Sequence, residues 1–251
     1  MELRTTEYPL LHPRTSDAVR VISWNVHYGS DESHGDDIMK ALQSFDCDVL
    51  LLYELWADLK LPERIHALGY GGVYVEANYR RVFIPIGGGI ALFSRFAIED
   101  IRIVETIADG LLSVRRYYIE ARLRVSSTFS LTVGMTHHSL PFEVGFSGAC
   151  DVLYREVAKH TERFLFLGDL NALPNFKIVQ KLRSRLAHLG PPLHFPSHPT
   201  SRWVKRLAFP RRLDYAFATH DVKDMLVGEA RFGESHPSDH NPVLVHLRTN
   251  K

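Results

Sequence analysis

Two runs of uninterrupted apolar residues, Val49-Leu50-Leu51-Leu52-Tyr53 and Phe164-Leu165-Phe166-Leu167, each close on a carboxylate, Glu54 and Asp169. Apolar runs of this length without alternation predict strands buried on both faces. Val19–Val26, rich in β-branched residues, predicts another. Further strands are predicted at 72–76, 89–94, 101–107, 117–125, 131–137, 213–218 and 243–247, and their close spacing points to antiparallel pairing. Helical spacing appears over 35–45 (Ile38, Leu42, Phe45), over 148–160 (Cys150, Leu153, Val157, Ala158) and over 174–186. Strands with a few helices between them fit two sheets packed face to face with helices outside, an α/β arrangement. Gly87-Gly88-Gly89 predicts a tight turn into the strand at 90–94, since it lacks the spacing of a phosphate-binding glycine loop.

No internal repeat, low-complexity segment or shift in composition marks a linker, so one domain over 19–251 is expected. Residues 1–18 read as a frayed leader.

The whole chain has 251 residues, 45% hydrophobic and 24% charged. These are ordinary globular values, and they exclude global disorder. Two cysteines exclude a disulfide framework or a cysteine-based zinc site. With neither a signal peptide nor an 18-residue apolar span, a cytoplasmic protein is expected. Thirty basic residues against 29 acidic leave a net charge of +1. A protein that coats DNA carries a strong basic excess, which is absent here. Of the 30 basic residues 22 are arginines, the side chain suited to bidentate contact with phosphate.

Polar residues stand just past the ends of the apolar strands: Asn25, Glu54, His137, Asp169 with Asn171, and Asp239-His240 ahead of the last strand. Strand ends at one rim of a sheet protein converge on a cleft. Carboxylates, amides and histidines together are what a hard divalent cation and acid–base chemistry require, Mg²⁺ taking one or two carboxylates.

Ser23-Trp24-Asn25-Val26, Leu52-Tyr53-Glu54, Gly89-Ile90-Ala91-Leu92-Phe93-Ser94-Arg95, Thr136-His137, Gly168-Asp169-Leu170-Asn171, Arg212-Leu213-Asp214-Tyr215 and Ser238-Asp239-His240-Asn241-Pro242 occur in this order. Together they resemble the endonuclease/exonuclease/phosphatase superfamily over residues 19–248. The resemblance implies a DNase I-like four-layered sandwich, two packed mixed β-sheets flanked by helices. It implies a Mg²⁺-dependent hydrolase of phosphate esters, Mn²⁺ being a possible substitute. Glu54, Asn25 and Asp239 resemble the metal and phosphate ligands. Asp169 resembles the residue that orients or deprotonates water, and Asn171 the amide that holds the phosphate. His240 with its partner Asp214, and His137 near the leaving group, resemble the catalytic histidines. Either His137 or His138 is open to face the cleft. His27 and Tyr53 stand where relatives carry aspartate and glutamine.

The expected activity is that of a phosphodiesterase or nuclease using in-line attack of water, with nucleic acid as partner. The alternatives are a phosphatase or phospholipase C-like enzyme on phospholipid, sphingomyelin or inositol and sugar phosphates, and a non-catalytic binding module. The loop 202–212, basic and holding Trp203, is a candidate contact for bases and phosphates or for an anionic headgroup. His160, His188, His194, His198 and His246 lack ligand spacing and read as structural.

Overall fold

The computed structural model describes residues 4–27, 32–55, 59–81, 84–107, 115–198, 211–234 and 237–249. In chain order the elements are β1 (Thr5–Tyr8), β2 (Ala18–Asn25), α1 (Glu32–Phe45), β3 (Val49–Leu55), α2 (Leu61–Ala67), β4 (Gly71–Arg81), β5 (Ile84–Ser94), β6 (Ala97–Ile107), β7 (Arg116–Arg124), β8 (Ser130–His137), α3 (Phe146–Ala158), β9 (Phe164–Asp169), α4 (Lys177–Arg185), β10 (Ala187–His188), β11 (Asp214–Ala218), α5 (His220–Lys223), β12 (Arg231–Phe232) and β13 (Val243–Arg248).

They form a seven-stranded sheet in the order β1-β4-β5-β3-β2-β13-β12 and a six-stranded sheet in the order β10-β11-β9-β8-β7-β6. The closely spaced strands pair antiparallel, as β4 with β5 and β6-β7-β8 do. The two long apolar strands differ. β3 lies parallel to β2, and β9 lies parallel to β8. A parallel neighbour needs a crossover, and α1 and α3 supply it. Both sheets are therefore mixed, and each holds one β-α-β unit.

Alternation within the buried strands explains the layers. Val49 and Leu51 of β3 meet Leu165 and Leu167 of β9 in the core between the sheets. Leu50 and Leu52 point the other way, under Ile38 and Leu42 of α1 and Leu61 and Ile65 of α2. Phe164 and Phe166 lie outside the second sheet, under Leu153 and Val157 of α3 and Val179 and Leu182 of α4. Burial on both faces is thus what makes the two runs continuously apolar. The result is a four-layered DNase I-like sandwich.

Two expectations require correction. Thr5–Tyr8, inside the segment read as a frayed leader, pairs antiparallel with β4, and Arg14 donates to the buried Asp48 at 2.7 Å. The strand is short and polar, and its partner lies far along the chain, so local pattern does not reveal it. Gly87–Gly89 is no turn. It lies inside β5, pairing with 76–78 of β4, and a Cβ on Gly89 would stand 2.4 Å from the Tyr74 ring. The glycine therefore admits an aromatic side chain from the neighbouring strand. Neither cysteine is in a disulfide. Among the described residues no helix is long and apolar enough to cross a membrane.

Candidate active site

Both β-α-β units deliver their carboxyl ends to one rim: Asn25 and Glu54 from β2 and β3, His137 and Asp169 from β8 and β9. Asp214 opens β11 opposite Asp169. Asp239 and His240 arrive on the segment before β13, where the Trp24 indole donates to the His240 carbonyl at 2.9 Å.

Glu54 is placed by a bulge. β3 and β5 lose register between Tyr53 and Leu55, and Glu54 has φ 56°. Tyr53 belongs to the core between the sheets and Leu55 to the outer cluster. Residues two apart on a regular strand share a face, so the bulge reverses the parity and leaves Glu54 at the rim. Asn171, also left-handed at φ 48°, sits in an Asx turn with its backbone N–H donating to Asp169 Oδ1 at 2.9 Å. Its side-chain Nδ2 donates to the His138 carbonyl at 2.9 Å, tying the loops after β8 and β9 together.

Asn25 joins the sheets. Its Nδ2 donates to Glu54 Oε1 at 3.1 Å and to Asp169 Oδ2 at 3.0 Å. His137 Nε2 lies 3.6 Å from Glu54 Oε1 and 3.7 Å from Asp169 Oδ2. His240 Nδ1 lies 2.9 Å from Asp214 Oδ2 and 3.9 Å from Asp169 Oδ2. Below them the Tyr53 hydroxyl donates to the Leu167 carbonyl at 3.2 Å and lies 2.9 Å from Ser23 Oγ, a second polar link between the sheets. Beside Glu54 and His137 opens a narrow recess lined also by Gly89, Arg115, Arg116 and Tyr117.

Charges follow from these contacts. Burial and the Asp214 carboxylate push the Asp169 carboxyl up to about 7. Burial opposes a charge on His240, but Asp214, Asp169 and Asp239 outweigh it and raise the ring to about 10. Burial, reinforced by the Arg116 guanidinium, holds His137 well below the usual imidazole range. Asp239 is partly buried, which favours its neutral form, yet His198, His240 and His27 bring it down to about 2.

All eight residues singled out in the sequence meet at this rim. Of the adjacent histidines, His137 faces the cleft, whereas His138 turns edge-on to Phe146 at 5.0 Å. Burial lowers His138 to about 4. His198, read as structural, belongs to the site, with Nε2 3.3 Å from Asp239 Oδ2 and its ring 4.7 Å from that of His240. His27 Nδ1 lies 3.4 Å from Asp239 Oδ1 and 3.9 Å from Glu54 Oε2. Ser197 Oγ donates to Asp214 Oδ2 at 2.6 Å and accepts the Asp214 backbone N–H at 2.9 Å. Ser238 Oγ donates to the Asn25 carbonyl at 2.6 Å. Ser238 opens the motif Ser238-Asp239-His240-Asn241-Pro242, but the proline- and histidine-rich loop around Ser197 and His198 carries no signal. Of the basic loop 202–212, residues 202–210 lie outside the described residues. Arg212 packs over Phe232 at 4.5 Å.

The profile of the Endonuclease/Exonuclease/phosphatase family matches residues 22–240. Among relatives, the UPF0294 protein of Vibrio campbellii is 22% identical over 236 residues, which cover 92% of this chain and 78% of that protein. Among solved structures, the human Nocturnin catalytic domain with bound sulfate anion matches with a TM-score of 0.68 at 18% identity, over 97% of this chain and 96% of that one. A 3′ phosphatase from Neisseria bound to a product DNA hairpin matches with a TM-score of 0.66 at 16% identity, over 91% of this chain and 99% of that one. The structures share the fold, and the profile spans the whole six-stranded sheet, most of the seven-stranded one and every strand end that builds the rim. The chain belongs to the Endonuclease/Exonuclease/phosphatase family of metal-dependent phosphoric ester hydrolases.

Proposed function

We propose that the chain is a Mg²⁺-dependent phosphodiesterase of the nuclease type, in which water attacks phosphorus in line. The observation that carries the reading is the surroundings of Asp169 Oδ2, which has Asn25 Nδ2 at 3.0 Å, His137 Nε2 at 3.7 Å and His240 Nδ1 at 3.9 Å. A carboxylate that is buried, ringed by donors and raised to about 7 is poised to accept a proton near neutral pH.

The donor chemistry at the rim fits a hard divalent cation. Glu54 and Asp239 are partly exposed carboxylates, and Asp239 Oδ1 accepts no hydrogen bond among the described residues. Asn25 Oδ1 accepts the His27 N–H at 3.0 Å and keeps a second lone pair. Glu54, Asp239 and Asn25 would hold Mg²⁺, or Mn²⁺ in its place. When bound, the cation neutralises phosphate charge and lowers the pKa of water.

The chain's own side chains account for the other roles. Asp169 takes the proton from the attacking water. His240, kept protonated by Asp214, presents a cation to the phosphate oxygens as charge builds on them. Asn171 has a second amide hydrogen beyond the one given to His138, and directs it to the same oxygens. His137 stands on the Glu54 side, near the leaving group. Nucleic acid is the substrate class we favour. The Neisseria enzyme of the same fold holds a DNA hairpin, and the chain is rich in arginine.

The test is hydrolysis of plasmid DNA, RNA, an abasic duplex, sphingomyelin and bis-p-nitrophenyl phosphate with Mg²⁺, Mn²⁺ or EDTA, beside Asp169→Ala. Metal-dependent cleavage of a nucleic acid, lost in the variant, is the expected result. Cleavage of sphingomyelin alone moves the enzyme to the lipid branch, and equal inertness of both proteins on the whole panel removes the catalytic reading.

A further inference from the structure

The two histidines of the cleft are held by partners of opposite kind. His240 Nδ1 lies 2.9 Å from Asp214 Oδ2, and an ionised carboxylate only accepts, so this nitrogen carries a hydrogen. His137 Nδ1 lies 3.2 Å from Arg116 Nη1. A guanidinium has five donors, no acceptor and no accessible neutral form in proteins. His137 Nδ1 must therefore accept, and the hydrogen of a neutral ring resides on Nε2. That nitrogen is the one turned to Glu54 Oε1 and Asp169 Oδ2.

Arg116 is itself fixed. It is 5% exposed, begins β7 in the strand beside β8, and directs Nη2 to Glu143 Oε1 at 3.5 Å. The Tyr53 ring stands 6.0 Å from the His137 ring, so the imidazole has a packed neighbour as well as a donor. A buried guanidinium needs a compensating role for its donors, and His137 Nδ1 is one acceptor it meets.

We propose that Arg116 is a positioning residue that fixes His137 as the Nε2–H tautomer, so that His137 directs a hydrogen-bond donor at the reaction centre. The proposal rests on the phosphate-ester reading only for its effect on rate. The division of labour in the cleft then follows from the partners. A carboxylate behind His240 favours the imidazolium, and a guanidinium behind His137 favours the neutral ring with a defined direction for its one hydrogen. A ring in that state has a single proton and a cation against its other nitrogen. Its suitable task is to donate a hydrogen bond to an oxygen that gains charge, the leaving oxygen or a phosphate oxygen.

The deciding experiment is long-range ¹H–¹⁵N NMR of the full chain with ¹⁵N-labelled histidine, recorded with Mg²⁺ and with EDTA. The His137 signals are assigned by their loss in His137→Gln. The expected result is a protonated Nε2 and a bare Nδ1 in the wild type. In Arg116→Met, which keeps the volume but removes the donors, the two nitrogens should shift toward an average of both tautomers, and Arg116→Lys should restore part of the preference. Turnover of the best substrate should fall about 10–100-fold in Arg116→Met with KM little changed, the usual cost of losing a group that orients a ligand or catalytic residue.

A wild-type His137 with its proton on Nδ1 overturns the proposal whether or not the variants fold. So does an Arg116→Met protein that folds and keeps the same tautomer. If Arg116→Met and His137→Gln turn over like the wild type while Asp169→Ala is inert, the positioning role falls and the hydrolase reading stands. If the wild type is inert on every phosphate ester, the hydrolase reading falls, and the NMR result still decides the tautomer.

Discussion

Asp214, to which Ser197 donates a hydrogen bond, is the main support of a charge on His240. Because Asp214 raises the ring to about 10 against the cost of burial, the protonated His240 that the proposed mechanism uses is present below that pH and is lost as pH rises through it. Asp214→Asn removes the carboxylate, so the alkaline limb of the kcat profile should move down toward neutrality. Ser197→Ala, which leaves Asp214 one donor short, should move it less. A pH–rate series from 6 to 11 on the three proteins checks both. Asp169→Asn keeps the volume and the contact to Asn25 but cannot take a proton, and it should lower kcat by about 10²–10⁴ while leaving the melting temperature at or above that of the wild type in EDTA. The gathering of these residues is partly legible in the sequence. Asp169, Asp214 and His240 stand in recognisable order in the sequence, but Ser197, His198 and Arg116 do not. They lie in a loop and at a strand start with no local pattern, and their meaning comes from what the fold sets beside them.

Glu54 shows how an element stores the cost of a site. A non-glycine residue in the left-handed region costs about 1–3 kcal/mol and persists only where the surroundings impose it. Glu54→Gly should therefore raise stability by about 1 kcal/mol while abolishing metal binding, and Glu54→Gln should weaken metal binding with no gain in stability. Urea unfolding and titration calorimetry with Mn²⁺ separate the two effects. Away from the rim, Glu120 on β7 accepts from Tyr118 Oη at 2.6 Å, Arg102 Nη2 at 3.2 Å and His160 Nε2 at 2.8 Å, the last just beyond α3. Burial opposes its charge, but His160, Tyr118 and Arg102 together bring it down to about 2. A carboxylate depressed in the folded state adds stability above its unfolded pKa of about 4.3 and loses it as pH falls toward 2. Glu120→Gln should cost about 2 kcal/mol at pH 7, and the difference should vanish between about pH 4.5 and 2 in denaturant titrations.

At the scale of the molecule, one core joins the sheets. Leu51 and Leu165 lie in it without exposure, from opposite sheets. Leu165→Ala should cost about 2–5 kcal/mol, and fluorescence and far-UV circular dichroism should report the same single transition, as expected of one cooperative domain. The net charge of +1 bears on the substrate. If nucleic acid is cleaved, the chain engages few phosphates, and log kcat/KM should fall with log salt at a slope no steeper than about −3.

The sequence by itself determined the long buried strands, because burial on both faces demands runs such as 49–53 and 164–167, and it set polar residues just past their ends, whose roles are implied by the resemblance of their motifs to the family. It left three things undecided. Parallel pairing of β3 and β9 depends on which neighbour each strand meets after its crossover helix. The bulge at Glu54 turns β3 from the core between the sheets at Tyr53 to the outer, helix-covered cluster at Leu55. The choice of His137 over His138, and the recruitment of Ser197, His198 and Arg116, depend on contacts between elements 17 to 41 residues apart or more. Each is a property of neighbours in space, and the chain encodes such neighbours only through the fold as a whole.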